Sequence, residues 1–206
     1  MMSSRHSEQE QSIRPPATRV AEDTLLDAAR TCVLSVGVRR TTLTDIARQA
    51  GVSRMTVYRR FADVTSVMAA LMTREFTALL SEAAESAAGW PDARGQLVAS
   101  TVAGVRALQA NPLMISVLER DPELLLPYLV ERIGSTQRLI EAVLVERIKA
   151  GHRDGSVRAG DPARQARAIF LTGQSFVISH RAATADQDGD ALLAELGTLL
   201  DRTLAP

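Results

Sequence analysis

The chain of 206 residues holds one cysteine, Cys32, so no internal disulfide can form and a reducing compartment fits. Aromatic residues make up only 3%, so the 46% of hydrophobic residues must build a core mainly from Leu, Ala, Val and Ile. No apolar run reaches the roughly 18 residues of a membrane span. The opening MMSSRHSEQEQSIRPP is polar and lacks the apolar stretch of a signal peptide, and a cytoplasmic protein is expected. The three histidines, His6, His152 and His180, show no metal-ligand spacing with one another or with Cys32. Neither a Gly-rich phosphate loop nor a G-x-S-x-G elbow is present. Glu119, Asp121 and Glu123 lie close together, but beside Arg120 and a helix start they read as capping charge. An enzyme is therefore the remote reading, and no catalytic residue, metal or cofactor is expected.

The charge is balanced overall but not along the chain. Residues 1–61 carry ten arginines and six acids, and the remainder carries fourteen basic residues and eighteen acids. Between Val38 and Phe61 stand six arginines and one acid, Asp45. A basic head on an acidic body suggests one end that binds a polyanion, although a chance cluster of surface arginines gives the same count.

Helix-period apolar runs separated by Gly, Pro and Asp predict an all-α fold, with no sustained alternation of period two. Residues 1–17 read as a disordered tail. A first helix is expected over about Val20–Val36, with Leu25, Ala29, Cys32, Val33 and Val36 on its apolar stripe and Gly37 as its stop. Cys32 then reads as a small core residue. Thr42 followed by Asp45 is a capping box for a second helix, whose Leu43, Ile46, Ala47 and Ala50 face inward before Gly51 ends it. Ser53 caps a third helix, Arg54 to about Phe61, anchored by Val57 and Phe61. Met55, Thr56, Arg59 and Arg60 point away from the anchor, with Arg54 and Tyr58 at its edge.

Two short helices around a Gly-Val-Ser turn form a helix-turn-helix, whose second helix fits the major groove of DNA. Arginine serves both guanine edges and phosphates, and Thr or Tyr hydroxyls reach phosphates. An ordinary helical corner with a solvated face is the alternative, but such a face mixes acids with bases, and Arg54–Phe61 has no acid.

The stretch TTLTDIARQAGVSRMTVYRRF, with its TT, IA, AGVS and TVYRRF elements in order, resembles the DNA-binding domain of the tetracycline-repressor (TetR) family of bacterial regulators. The resemblance covers about Arg19–Leu71. It implies an all-helical homodimer of about nine helices, with three N-terminal helices over residues 18–63 binding DNA. Residues 64–206 would bind an effector and dimerise. Carried over residue by residue, the DNA contacts are Thr42 and Thr44 on the second helix and Arg54, Met55, Thr56, Tyr58, Arg59 and Arg60 on the third. The family often places a lysine at the start of the fourth helix. Here Val64 stands there, so that phosphate contact is in doubt. Asp63 can still cap the helix, and Arg39 and Arg40 can compensate.

Six further helices are expected. They cover about Val64–Ala87, Ala93–Ala110, Leu113–Arg120, Pro127–Ala150 with Gly151 as stop, Pro162–Ala183, and a last one ending at Leu204. The last is rich in leucine and could pack on the body alone, but the resemblance implies a four-helix bundle with a second copy through Phe176, Leu192, Leu196, Leu199 and Leu200. In the family the effector lies among the fourth to eighth helices. Candidate lining residues are Met72, Phe76, Met114, Leu118, Tyr128, Phe170, Gln174 and His180, each of which also reads as plain core. The methionines and apolar bias suggest a hydrophobic effector. The function expected is a ligand-released repressor that binds a palindromic operator as a dimer. The alternative is a DNA-binding regulator with no small-molecule ligand.

Overall fold

The computed structural model describes residues 17–131 and 133–206, leaving aside the side chains of 17–21 and of Tyr128. The expected tail and Tyr128 as a lining side chain thus lie outside the described residues. Among the described residues ten α-helices follow in order: α1 Ala17–Val36, α2 Leu43–Gln49, α3 Arg54–Arg60, α4 Val64–Ser86, α5 Ala93–Ala110, α6 Pro112–Arg120, α7 Ser135–Asp154, α8 Pro162–Ile178, α9 His180–Ala183 and α10 Gly189–Leu204. No strand occurs among the described residues. A 3-10 turn, Pro122–Leu125, and a π-helical turn, Pro127–Glu131, join α6 to α7.

The helix starts follow from short polar caps. The Asp45 amide donates to the Thr42 hydroxyl at 3.1 Å, and that hydroxyl donates to the Asp45 carboxylate at 2.6 Å. The Ser53 hydroxyl accepts from the Thr56 amide at 3.2 Å. Asp63 and Ser66 cap α4 reciprocally. Asn111 accepts from the amides of Leu113 and Met114, which turns the chain from α5 into α6. Each such cap satisfies amides that have no partner within the helix.

Two departures concern α7. It begins at Ser135, not near Pro127, because Leu124–Val130 is taken up by the two irregular turns. It also runs past Gly151 and stops at Gly155, which has positive φ. Gly151 is buried inside the helix, where a Cβ would stand 2.3 Å from a Val157 methyl. Its lack of a side chain lets the chain fold back onto α7, and Val157 is 3% exposed there. The eighth helix also ends early, at Ile178, and His180–Ala183 forms a separate turn.

Two hydrophobic cores result. The head core gathers Leu25, Leu26, Ala29 and Val33 of α1, Leu43, Ile46 and Ala47 of α2, Val57 and Phe61 around α3, and Val67 and Leu71 of α4. Leu113 and Val117 of α6 complete it. Cys32 packs at its margin, half-buried, and burial pushes its thiol up from the ordinary range. The body core joins Leu97 and Val105 of α5, Met114 of α6, Leu144 and Ile148 of α7, Ile169, Phe170 and Val177 of α8, and Leu193, Leu196, Leu200 and Leu204 of α10. Thus α6 presents Leu113 and Val117 to one core and Met114 to the other.

This packing corrects one expectation. Leu196 and Leu200 are 0% and 3% exposed within a single chain, so their burial is complete without a second copy. Their helix, α10, lies on α5. Leu199, on the other side of α10, is 50% exposed.

Candidate nucleic-acid interface and internal cavity

The head presents α3 outward. Val57 is fully buried and holds the helix down, while Met55 is 74% and Tyr58 51% exposed. Arg54, Arg59 and Arg60 are exposed, Thr56 is half-buried, and Thr42, Arg39 and Arg40 flank the same helix pair in exposed positions. Thr44 is half-buried. The cations differ in their freedom. Arg60 is paired with Glu22 of α1, and Arg39 Nε lies 2.6 Å from Glu123. Among the described residues, Arg40, Arg54 and Arg59 have no carboxylate at ion-pair distance. The Thr42 and Thr56 hydroxyls are engaged with Asp45 and Ser53. Val64, and not the lysine often found in the resembled family, opens α4, and the carboxylate of its cap Asp63 accepts from the Ser66 amide at 2.7 Å.

Between α4, α5, α6, α7 and α8 lies a cavity of about 450 Å³. Its volume is in the range of small-molecule sites. Met72, Phe76, Met114, Phe170 and Gln174, five of the residues expected there, do line it. Leu118 and His180 are not among its lining residues. Leu118 packs against the body core, and His180 stands at the turn after α8, its ring 3.6 Å from where a Gly189 side chain would begin. Lining residues that periodicity did not single out include Thr65, Thr101, Gln137, Ile140 and Arg147. The signal for Arg147 was present: it falls three residues after Leu144 and seven after Ile140, on the apolar side of α7. Gln137 Nε2 donates to Gln174 Oε1 at 3.0 Å, a neutral polar pair on the wall.

The cavity touches the head through a set of short contacts. Val38 and Glu123 both line it. The Val38 amide donates to Asp121 Oδ2 at 2.7 Å, and Asp121 is 3% exposed. Arg120 Nη1 donates to the carbonyls of Leu34 and Ser35, the open end of α1, at 3.0 and 3.3 Å. Gly37, with φ of 85°, makes room: a Cβ there would stand 3.0 Å from Asp121 Oδ2. So the last turn of α6 grips the corner between α1 and α2, and Glu123 holds Arg39 just beyond it. A separate pair joins α4 to α1, where Arg74 reaches Asp27 at 2.8 Å.

Among the described residues, no three His, Cys, Asp or Glu side chains group closely enough to hold a metal ion. No described helix is long and apolar enough to cross a membrane.

Comparison with known proteins agrees with this architecture. Residues 25–71 match the family described as bacterial regulatory proteins, tetR family. An uncharacterized HTH-type transcriptional regulator of Mycobacterium bovis is 40% identical over 172 residues, covering 84% of this chain and 88% of that protein. Among solved structures, the fatty acid degradation regulator FadR of Bacillus halodurans superposes with a TM-score of 0.66 at 20% identity, over 92% of this chain and 96% of that one. FadR of Bacillus subtilis, solved in complex with stearoyl-CoA, gives 0.64 at 19% identity, over 88% and 98%. The chain belongs to the tetR family of bacterial transcriptional regulators. It is a DNA-binding, all-helical regulator with an N-terminal helix-turn-helix.

Proposed function

We propose that this regulator is a dimeric repressor, that α3 enters the major groove of a palindromic operator, and that a largely apolar molecule in the cavity releases it. The observation that carries the reading is the shared wall: Val38 and Glu123 line the cavity and are held to the head and to α6 at the same time. An occupant that displaces Pro122–Leu125 pulls on Asp121 and Glu123, and through them on the corner before α2. It also bears on Met68, Met72 and Phe76 of α4, a stiff helix that starts against α3. The effector acts through its differential affinity for the two arrangements of the heads. In one arrangement the two α3 helices match major grooves about 34–36 Å apart. The acyl thioester held by a regulator of the same fold supports an apolar effector.

A second copy fits the outer faces of α8 and α10. Leu171 and Leu199 are each 50% exposed there, and the neighbouring positions Ala168, Ser175, Ala191 and Ala194 are small and exposed, which permits close helix approach. Leu192 and Phe176 are half-buried at the margins.

The test is operator binding by the full-length protein on its best genomic site. Tyr58→Phe and Arg59→Ala are expected to weaken binding with unchanged helicity, and the salt dependence for Arg59→Ala falls by about one counterion. Unaltered binding by both variants removes the role given to α3. Met114→Trp fills the cavity and is expected to mimic or block the effector. If an effector releases DNA equally from both proteins, the cavity is not its site. If no small molecule of any class changes DNA affinity, the chain is a regulator switched in another way.

A further inference from the structure

We infer that the molecule taken up by the cavity is an amphipathic anion: an elongated apolar chain whose negatively charged end is received by Arg147. This rests on reading the cavity as the effector site and adds the chemistry of the ligand.

The lining holds two charged side chains among its described residues, Glu123 and Arg147. Glu123 is answered by Arg39 at 2.6 Å. Arg147 is not answered in that way. Its Nη1 lies 3.2 Å from Gln96 Oε1, a neutral acceptor, and no carboxylate among the described residues stands at ion-pair distance. Other partly buried arginines of the body do have acids: Arg94 meets Asp201 at 3.2 Å, and Arg74 meets Asp27 at 2.8 Å. A guanidinium drawn to an apolar cavity wall with only an amide for company carries a desolvation cost that an anion relieves. Its planar fork suits a carboxylate or phosphate in bidentate fashion.

The competing donors at this end are occupied. The hydroxyls of Ser100 and Thr101 donate to their own helix, to the Leu97 carbonyl, at 3.1 and 2.7 Å. The two charged residues also mark different ends. Glu123 sits against Arg39 of the head, whereas Gln96 lies in the first turn of α5, at the end of that helix remote from α6. Between them the wall is lined along α4 from Thr65 to Ala84, roughly 28 Å at about 1.5 Å of rise per residue. Met68, Met72, Phe76 and Leu80 make that stretch apolar. A chain with its anion at Arg147 directs its tail toward Val38 and Leu124, and the opposite orientation brings the anion to Glu123.

Three probes with one twelve-carbon chain test the idea by calorimetry on the full-length protein near neutral pH: dodecanoate, dodecanol and dodecylammonium. Dodecanoate is expected to bind about tenfold more tightly than dodecanol, with dodecylammonium weakest. Arg147→Met is expected to bring dodecanoate down to the affinity of dodecanol and to leave dodecanol within about twofold. Arg147→Lys, which keeps the charge without the fork, falls between. Dodecanoyl-coenzyme A, tested on the same proteins, tells whether the anion is a free carboxylate or the phosphates of a conjugate: whichever probe binds more tightly loses its advantage in Arg147→Met. Equal binding of dodecanoate and dodecanol to the wild type overturns the inference while the cavity stands as an apolar site. So does an Arg147→Met protein that weakens both alike. Failure of all the probes to bind overturns the inference, whereas the reading of the cavity as an effector site stands or falls on the Met114→Trp and DNA-release tests above. The wild-type comparison decides even if the Arg147 variants fold poorly.

Discussion

The head and the body of this regulator reach order by different means. In the head, α2 and α3 are seven residues each, shorter than a helix that holds alone in water. They depend on hydroxyl caps and on a small shared core. In the body, α4, α5 and α7 run 23, 18 and 20 residues and bury long apolar faces around a cavity. The boundary expected from the chain, at residue 64, is not a packing boundary. Leu113, 0% exposed, and Val117 belong to the head core although they lie in α6, while Met114 between them lines the cavity. The head core is thus completed by a helix of the body.

The strongest way to break this picture is to cut Leu113 back. Leu113→Ala is expected to cost about 2–5 kcal/mol, as for other fully buried leucines. The effect is expected to appear in the head: hydrogen exchange rises in α1–α3 before it rises in α8 or α10. Ile148→Ala, equally buried in the body core, is the reference and is expected to loosen α7 and α8 first. If Leu113→Ala leaves exchange in α1–α3 unchanged, α6 is not part of the head's core in solution.

Asp121 sharpens the same comparison with a polar contact. Asp121→Ala leaves the Val38 amide buried without its acceptor, at a cost of about 1–3 kcal/mol. More telling is the coupling. The variant is expected to bind DNA while showing a reduced response to whatever occupies the cavity. Thermal unfolding gives the first quantity, and DNA titration with and without effector gives the second. A variant as responsive as the wild type shows that α4 alone carries the signal.

The outer faces of α8 and α10 separate the body's own core from its surface. Leu171→Glu together with Leu199→Glu is expected to give a folded monomer, since both residues are half exposed in one chain. Leu196→Glu instead places a carboxylate in the body core and is expected to unfold it. Light scattering and circular dichroism distinguish the two. Unchanged association of the double variant moves the dimer seam elsewhere.

These contrasts also explain what was legible in the sequence. The helix-turn-helix was, because its short helices announce themselves by local chemistry: Thr42 with Asp45, Ser53 with Thr56, and Val57 with Phe61 act within four residues. The partners of the body were not. Periodicity shows that Leu196 and Leu199 lie on an apolar helix, but not that α5 covers one and leaves the other exposed. It read Gly151 as a stop, because the packing of Val157 against it depends on a turn that brings the chain back. It placed the start of α7 at Pro127, since LLLPYLV is apolar enough for a helix and the irregular turns carry no cap of their own. The cavity and the solid core share one composition, so nothing in the sequence separates Met72, which lines the cavity, from Leu118, which does not. The grip of Arg120 and Asp121 on residues 34–38 joins positions more than eighty residues apart and leaves no local trace.

The smallest expected effect concerns two carboxylates, one in each region. Asp45 in the head is held below the usual carboxylate range first by the Thr42 hydroxyl and then by the charge of Arg48, all within its own helix turn. Asp154 in the body is lowered first by the Ser156 hydroxyl and then by the amides of Ala93 and Ser156, the Ala93 amide coming from the start of α5 at 2.9 Å. Both are depressed in the folded state. Each therefore contributes stability that is present above the unfolded value, about 3.9 for Asp. That contribution is lost as pH falls through the lower folded value. Carboxyl carbon shifts followed by NMR from pH 6 downward are expected to give both midpoints below the ordinary one. Thr42→Val is expected to raise the Asp45 midpoint and leave Asp154 untouched, and Ser156→Ala to do the reverse. The two differ in what else moves. Releasing Asp154 weakens a tie between α7 and α5, so the protection of the Ala93 and Arg94 amides, measured against the intrinsic exchange rate at each pH, is expected to fall as the pH drops. Releasing Asp45 loosens only the first turn of α2. If acid frees α5 no sooner than α2, the division between local bonds in the head and long-range bonds in the body does not hold at its polar contacts.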